Sequence, residues 1–115
     1  MAKNYLTLDE RRAYRSLEDV VGCKWSAAVV AALHQGVNRP GKLERYIPGI
    51  STKVLNERLR RLLDYQLITR HEIDGNMLHV EYRLTPNGVK LASVIEQLKE
   101  LQSEHTASLD EGPAA

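Results

Sequence analysis

Residues 48–68 read PGISTKVLNERLRRLLDYQLI, and the interpretation of the whole chain depends on this stretch. Pro48-Gly49 is a turn dipeptide, and Ser51 is a residue type that favours the N-cap of a following helix. Leucines then recur at three- and four-residue steps, which places them on one helical face. They are Leu55, Leu59, Leu62 and Leu63. The stretch therefore predicts a short amphipathic helix over residues 51–65, followed by a strand.

The face opposite these leucines is polar, with three basic and two acidic residues. At about 100° per residue it collects Lys53, Asn56, Glu57, Arg60, Arg61 and Asp64. Long basic side chains and an amide on an exposed helix face suit the reading of base edges and the holding of phosphates. A merely solvated face explains the same pattern equally well. The helix by itself leaves both interpretations open.

Length and composition indicate an ordinary globular protein. The 115 residues fit one domain, and 43% are hydrophobic and 27% charged. No apolar run approaches the roughly 20 residues needed to span a bilayer. The N-terminal MAKNYLTLDERR lacks the apolar segment of a secretory signal. Because the single cysteine, Cys23, cannot form an internal disulfide, we expect a reducing, cytoplasmic setting.

Charge is distributed unevenly along the chain. The formal net charge is only +1, but residues 39–61 contain seven basic and two acidic residues. The last twenty residues contain five acids and one lysine. A basic centre with acidic flanks predicts one surface that faces a polyanion and another that faces elsewhere.

Two helices are predicted ahead of the basic stretch. Residues 1–6 are interpreted as a flexible arm, and Thr7 with Glu10 fits the capping box of a first helix that runs to about Val21. Residues 27–33 are nearly apolar all round, which is typical of a buried central helix. Trp25 is expected to lie in the core at the start of this helix. Gly36 is expected to end the helix.

A second short helix is predicted directly before residues 48–68. Asn38-Arg39-Pro40-Gly41 predicts a turn, and residues 42–47 predict one or two helical turns. Only a few residues separate this short helix from the helix over 51–65. The pair is therefore interpreted as a helix-turn-helix.

Residues 67–84 predict a β-hairpin. Asp74-Gly75-Asn76 is a hairpin turn signal, with the loop pair left open between Asp74-Gly75 and Gly75-Asn76. In the return strand apolar and polar residues alternate, which predicts one buried face. The predicted buried set is Leu78, Val80, Tyr82 and Leu84.

The last predicted helix opens at Thr85-Pro86 and carries an apolar stripe beyond the compact unit. The stripe contains Leu91, Val94, Ile95, Leu98 and Leu101. The same helix of a second copy would cover it, and packing on the first helix of the same chain is the alternative; both can hold at once. The domain is placed at residues 7–105, and residues 106–115 are predicted to be a disordered tail.

Together these elements predict an α+β, mostly α fold: a winged helix-turn-helix with a two-stranded β-hairpin wing and terminal helices that form a dimer interface. Four blocks also resemble the HxlR-type transcriptional regulators, relatives of the MarR group. They are GCKW (22–25), PGIS (48–51), KVLNERLR (53–60) and VEYRLT (80–85), and the resemblance covers about residues 17–101.

The resemblance implies a homodimer that binds double-stranded DNA at a pseudo-palindromic site, with the helix from Ser51 in the major groove. The residues assigned to DNA are Ser51, Thr52, Lys53, Asn56, Arg60, Arg61 and His79. The residues assigned to the dimer interface are Tyr14, Leu17, Leu91, Ile95, Leu98 and Leu101. A small-molecule effector remains an open partner, since no residue identifies one.

Three positions depart from the family pattern. Arg12-Ala13 stands where many members carry a Cys-Pro pair, so a thiol switch of the family type is in doubt. We interpret Cys23 as a small residue packed at a helix start. Pro40-Gly41 replaces an aromatic residue and a serine, which makes a small first strand and the cap of the following helix uncertain. His79 replaces a common wing arginine, which predicts a weak grip by the wing.

No catalytic set, metal site or cofactor motif is predicted. The four histidines are scattered, and a catalytic triad, a phosphate loop and a close carboxylate pair are not found in the sequence. The chain is therefore not expected to be an enzyme. The alternative to a DNA-binding regulator is a winged-helix module that binds protein and not DNA, which the modest net charge favours.

Overall fold

The computed structural model of the chain describes Tyr5 and residues 14–110. Five helices and one antiparallel hairpin follow one another in this range. They are α1 (Arg15–Val21), α2 (Lys24–His34), α3 (Pro40–Tyr46), α4 (Thr52–Asp64), β1 (Ile68–Ile73), β2 (Asn76–Leu84) and α5 (Pro86–Asp110). The order and type of these elements confirm the predicted winged helix-turn-helix with a two-stranded wing.

Helix α2 lies at the centre of the core, as its apolar sequence predicts. It packs against α1, α3, α4, β2 and α5. Its Val29 and Val30 are fully buried, and Leu43 of α3 and Leu62 of α4 are buried in the same cluster. Trp25 is only partly buried, with the Lys24 ammonium 4.5 Å from the centre of its ring. The chain thus builds its core around one helix that has little polar surface of its own.

The amphipathic helix α4 forms as the sequence predicts. The Ser51 hydroxyl accepts a hydrogen bond from the Val54 backbone N–H at 3.1 Å, which caps the helix. Leu55, Leu59 and Leu62 are buried, while Leu63 is partly buried. Hydrophobic burial along this face fixes which face of α4 points to solvent.

Helix α3 begins at Pro40, two residues earlier than predicted, so Pro40 and Gly41 are helical and not part of the turn. Proline is favoured at the first helical position, where its missing N–H costs no hydrogen bond. Arg39 at the N-cap gives no side-chain hydrogen bond. Among the described residues the sheet has two strands, and the Asn38 carbonyl accepts one hydrogen bond from the Tyr82 N–H at 2.8 Å.

The hairpin turns at Asp74-Gly75, which decides between the two predicted loops. Both residues have positive φ, at 57° and 68°, as a two-residue hairpin loop of this kind requires. The pairing is then irregular, because Ile73 pairs with Asn76 while Glu72 pairs with Val80.

Leu78 is the residue whose predicted burial is wrong. Residues 77–79 bulge out of the ladder, and such a bulge breaks the period-two alternation of a strand. Leu78 is 88% exposed, whereas Val80, Tyr82 and Leu84 are partly buried. Beyond the bulge the alternation is incomplete, because Glu81 is partly buried like Val80 and Tyr82, and only Arg83 is exposed.

The two terminal helices differ in length from the predictions. Helix α1 begins at Arg15 with Tyr14 as its N-cap, and the predicted capping box at Thr7 and Glu10 lies outside the described residues. Helix α5 runs for 25 residues to Asp110, so residues 106–110 are helical and not part of a disordered tail. Residues 106–110 contain no glycine or proline, and the next residues of these types along the chain are Gly112 and Pro113. Within the described chain, no helix is long and apolar enough to cross a membrane.

Candidate DNA interface

The exposed edge of α4 brings together three of the residues assigned to DNA. Lys53, Asn56 and Arg60 are exposed, and their spacing of three and four residues aligns them on the side opposite the buried leucines. Among the residues described, no carboxylate lies within 4.0 Å of the Lys53 or Arg60 cationic groups. Two cations and an amide with two donors and an acceptor therefore point to solvent together.

The start of α4 adds two hydroxyl groups to this edge. Ser51 and Thr52 are exposed, but the Ser51 hydroxyl oxygen already accepts the Val54 N–H. The N-terminus of a 13-residue helix carries free N–H groups and a partial positive charge, both of which favour a phosphate. The structure thus places all five residues from Ser51 to Arg60 that were assigned to DNA on one surface.

Arg61 does not share this surface as a free cation. Its guanidinium donates to Asp19 of α1 at 3.2 Å, and the Tyr65 hydroxyl donates to the same carboxylate oxygen at 2.7 Å. The Tyr65 hydrogen bond, aided by Arg61, holds the pKa of Asp19 below its ordinary value against an opposing effect of desolvation. Arg61 thus forms a tie between α1 and α4, and its predicted contact with DNA stays a prediction.

Arg58 lies on the inner side of α4 with an unsatisfied group. Its Nε and the Oε1 of Glu44 are buried without hydrogen-bond partners. Among the described residues, Arg58 forms no ion pair with Glu44 or Glu18. Arg58 therefore contributes its positive charge near the core and not to the exposed edge of α4.

The wing carries charges that largely cancel. Arg70 pairs with Glu72 at 3.3 Å, and Arg83 pairs with Glu81 at 3.2 Å. Asp74 is exposed at the turn, and His79 is exposed in the bulge. The wing therefore has fewer unpaired cations for binding an anion than the exposed edge of α4 has.

Sequence reasoning did not assign a third set of basic residues, on α3. Arg39, Lys42 and Arg45 are exposed, and they line a cleft of about 310 Å³ whose other wall is formed by Leu78 and His79. The signal for these residues was the basic run that begins at Arg39. Their approach to the wing could not be inferred from the sequence, because it depends on the bulge in β2.

Comparison with known proteins agrees with this geometry. A model of the HxlR-like helix-turn-helix family matches residues 20–110, which is most of the chain. The chain belongs to the HxlR-like helix-turn-helix family. This confirms the resemblance noted from the four sequence blocks.

Relatives of this HxlR-like chain are named HTH-type transcriptional regulators. One from Synechocystis sp. is 36% identical over 86 residues, which cover 75% of this chain and 64% of the relative. YvaP of Bacillus subtilis is 30% identical over 86 residues, covering 75% and 80%. The aligned part thus spans somewhat less than two thirds of the first relative and four fifths of the second.

Solved structures share the same fold. A protein of Enterococcus faecalis V583, described as a transcriptional regulator of the MarR family, superposes with a TM-score of 0.76. It is 28% identical, and the match covers 95% of this chain and 99% of that one. The redox regulator HypR in its reduced form gives a TM-score of 0.74 at 26% identity, covering 86% and 98%.

The residues assigned to a dimer interface fall into two groups in the HxlR-like fold. Leu91 and Ile95 are each only 5% exposed, because they pack into the core of their own protomer. They therefore have little surface to offer a second copy. Tyr14, Leu17, Leu98 and Leu101 are exposed by 40–59% and remain available.

Leu17 and Leu98 border apolar grooves between the terminal helices. Leu17 of α1 lines a groove with Val94 of α5, and Leu98 lines a second one with Val21 and Ala27. The second groove has a volume of about 670 Å³. The exposed stripe of α5 is thus continuous with apolar surface on α1 and α2.

Cys23 occupies the N-cap of α2 and is half-buried. Burial raises the pKa of its thiol, but nearby polar groups of Ser26 and Trp25 outweigh this effect and leave the pKa below its ordinary value, although the thiol makes no capping hydrogen bond. The position fits the packing role at a helix start that the sequence suggested. Across residues 14–110, no group of three histidine, cysteine or acidic side chains is arranged to hold a metal ion.

Proposed function

We propose that the chain is a sequence-specific transcriptional regulator that binds a pseudo-palindromic operator as a homodimer. The observation that carries the proposal is the exposed edge of α4, where Lys53, Asn56 and Arg60 align without carboxylate partners among the described residues. Membership of the HxlR-like helix-turn-helix family supports it. The proposed compartment is the reducing cytoplasm.

In this proposal α4 lies in the major groove, where each base pair presents a distinct pattern of donors and acceptors. Asn56 would pair with adenine through its amide, and Arg60 or Lys53 would bind guanine or phosphate. Ser51 and Thr52 would hold a phosphate at the positive end of the helix. Helix α3 would position α4 across the groove, as the first helix of such a pair does.

Two-fold symmetry determines the form of the operator. Two copies of α4 in a symmetric dimer would contact successive major grooves on one side of the duplex, which are about 34 Å apart. The exposed stripe of α5 and Leu17 of α1 supply the dimer surface in this proposal. A two-fold symmetric operator is therefore expected only if the protein binds DNA as a dimer.

Selection of bound sequences from a random pool of double-stranded DNA tests the proposal. We expect an inverted repeat whose half-sites are centred about one helical turn apart. In a mobility-shift assay on the selected site, Lys53→Ala combined with Arg60→Ala should weaken binding by at least tenfold, since one specific contact is worth about 1–3 kcal/mol.

Lys90→Ala combined with Lys99→Ala removes two exposed cations from α5, and it serves as the control once sedimentation shows the same mass as the parent, because both residues line the grooves between the terminal helices. This control should bind DNA as the parent does. Equal losses in the two double variants would argue against a specific role for α4. If the selection enriches no sequence from the pool, the proposal is wrong.

The paired charges of the wing favour one alternative, a winged-helix module that binds protein and not DNA. The two functions predict opposite results at low salt. The module would fail to retain any duplex in 50 mM salt, where even non-specific electrostatic binding is strong. It would also form a stoichiometric complex with a protein partner.

A further inference from the structure

A small polar cluster joins the first described helix, α1, to α4. Among the described elements, α1 packs closely only on α2. A direct link from α1 to α4 is made by Asp19, whose Oδ2 accepts a hydrogen bond from the Arg61 guanidinium at 3.2 Å and another from the Tyr65 hydroxyl at 2.7 Å. These three side chains form the tie between α1 and α4.

Tyr65 lies at the point where α4 ends. It is the C-cap residue, and its backbone N–H donates to the Arg61 carbonyl at 3.0 Å. The hydrogen bond to Asp19 raises the pKa of the Tyr65 phenol, so the hydroxyl keeps its proton at neutral pH and remains the donor. One carboxylate oxygen of α1 therefore holds both the last turn of α4 and the residue that caps it.

Tyr65 also reaches the surface between the terminal helices. It lines the apolar groove that contains Leu17 of α1 and Val94 of α5, and this groove has a volume of about 440 Å³. Leu17 and Val94 are exposed in the protomer. Because the proposed function assigns Leu17 and the stripe of α5 to the dimer, the residue that caps α4 lies beside the dimer surface.

The separation of the two α4 helices in a dimer depends on how each is held relative to that surface. In a two-fold complex the two helices must meet major grooves about 34 Å apart. The buried leucines fix which face of α4 points inward, but hydrophobic burial is not directional. Hydrogen bonds have preferred distances and angles. The tie therefore adds a directional restraint at the C-terminal end of α4.

We propose that Asp19 and Tyr65 are positioning residues that determine which half-site spacing the dimer accepts. They act through Arg61 and the end of α4, and they do not themselves touch DNA. Asp19 restrains α4 from a helix that supplies part of the dimer surface, so the two α4 helices keep one separation. This inference rests on the proposed function, because it requires a dimer on a two-fold site.

Operators that differ only in spacing test the proposal. The selected site is compared with two versions that have one base pair inserted or removed between the half-sites. Either change moves one half-site by about 3.4 Å along the axis and by about 35° around it. The parent should bind both altered sites more weakly than the selected site.

Asp19→Asn should reduce this discrimination between spacings by about fivefold, the factor that corresponds to one exposed charged contact. Tyr65→Phe keeps the ring in the groove and removes only the hydroxyl, so it should reduce the discrimination by a smaller factor. In the Asp19→Asn background, Tyr65→Phe should have little further effect, because the carboxylate that accepts the hydroxyl is absent.

Asp64→Asn is the matched control. Asp64 is exposed on the same helix, and within the described part of the chain it forms no ion pair. Its substitution removes one negative charge near the DNA surface, as Asp19→Asn does, and it should leave the discrimination at the parental value. Thermal melting and sedimentation equilibrium show that every variant is folded and dimeric under the conditions of the assay.

A measurement without DNA separates positioning from stability. Spin labels at Glu57→Cys, in a Cys23→Ser background, report the distance between the two α4 helices by double electron–electron resonance. Asp19→Asn should broaden this distance distribution. Labels at Glu100→Cys on α5 should give the same distribution with and without Asp19→Asn.

The outcomes distinguish this inference from the proposed function. If Asp19→Asn and Tyr65→Phe discriminate among the three sites as the parent does, the tie does not position α4, while the proposed function stands. Equal losses of affinity on all three sites, or the same change of discrimination in Asp64→Asn, would also overturn the inference. If the parent binds no DNA, both proposals are wrong.

Discussion

At the scale of single residues, two helices end in the same geometry with different residues. After α2, Gly36 has a φ of 89°, and after α4, Gln66 has a φ of 57°. In both cases this residue and the next donate backbone hydrogen bonds to carbonyls in the last turn of the helix. The glycine predicts from sequence that α2 ends at this point. The end of α4 could not be predicted in this way, because glutamine rarely adopts a left-handed conformation.

Gln66→Gly should stabilise the protein by about 1 kcal/mol. The left-handed conformation costs a non-glycine residue about 1–2 kcal/mol, of which the greater chain entropy of glycine in the unfolded state cancels a part. Urea unfolding at neutral pH measures the change. Gln66→Ala is the control, since it keeps the Cβ atom and should bring no gain. An equal gain in both variants would show that the glutamine side chain itself is unfavourable.

Gly88→Ala should destabilise the fold by about 1–3 kcal/mol. A Cβ atom at Gly88 would lie 2.1 Å from the backbone carbonyl oxygen of Leu67, so α5 or the start of the hairpin would have to move. Gly41→Ala in α3 is the matched control, because its nearest neighbour would be an Arg45 side-chain nitrogen at 3.7 Å. Thermal melts of the two variants provide the test. Equal stability of both would mean that the junction between α4, the hairpin and α5 is loosely packed.

At the scale of elements, the caps and apolar faces were predictable and the bulge was not. The Ser51 cap is confirmed, and the Thr85 hydroxyl accepts the Gly88 N–H at 3.1 Å as an N-cap should. Such signals are local, since they depend on residues three or four positions apart. The three-residue bulge at 77–79 depends on pairing between strands, and Arg61 depends on its approach to Asp19 from another helix. Sequence periodicity contains no information on either.

The tie between α1 and α4 should make stability depend on pH in the acid range. Since hydrogen bonding from Tyr65, with the charge of Arg61, lowers the pKa of Asp19 in the folded state, the ionised carboxylate stabilises the fold. The contribution is fully present above the ordinary pKa of 3.8 and is lost as pH falls through the lower folded value. Asp19→Asn should therefore lower stability at pH 6 and reduce its decline towards pH 3.

Free energies of unfolding in urea, measured between pH 3 and pH 7, test this expectation. Tyr65→Phe should give a smaller change in the same direction, because it removes the shortest hydrogen bond to the carboxylate. Glu100→Gln on the exposed part of α5 is the control and should leave the pH profile unchanged. If Asp19→Asn and Glu100→Gln gave the same profile, the tie would contribute nothing to the fold.

At the scale of the whole molecule, the shape of the protomer is dominated by the projecting α5. The described chain extends 60 Å along its longest axis, and from Glu96 onward every described residue of α5 is exposed. The exposed part of α5, residues 96–110, is about 15 residues long, and isolated helices of about that length or shorter are marginal in water. Most helical stability in proteins comes from packing of an apolar face. The sequence showed that the stripe exists, but it could not divide the stripe between core and interface. Leu91 and Ile95 belong to the core, and Leu98 and Leu101 extend beyond it.

Leu98→Glu combined with Leu101→Glu should convert a dimer into a monomer. Two charges on the exposed stripe would have to be desolvated on association, which costs more than the apolar contact returns. Sedimentation equilibrium at micromolar concentration should give a mass near 26 kDa for the parent and near the chain mass of 13.0 kDa for the variant.

Val89→Glu is the matched control, because Val89 is an exposed residue of the same helix that points away from Leu98 by about half a turn. It should remain dimeric. The monomeric variant should keep its core, because Leu98 and Leu101 are exposed in the protomer, and yet it should lose most of its affinity for the two-fold site. A parent that sediments as a monomer, or a variant that stays dimeric, would place the dimer contact elsewhere than on α5.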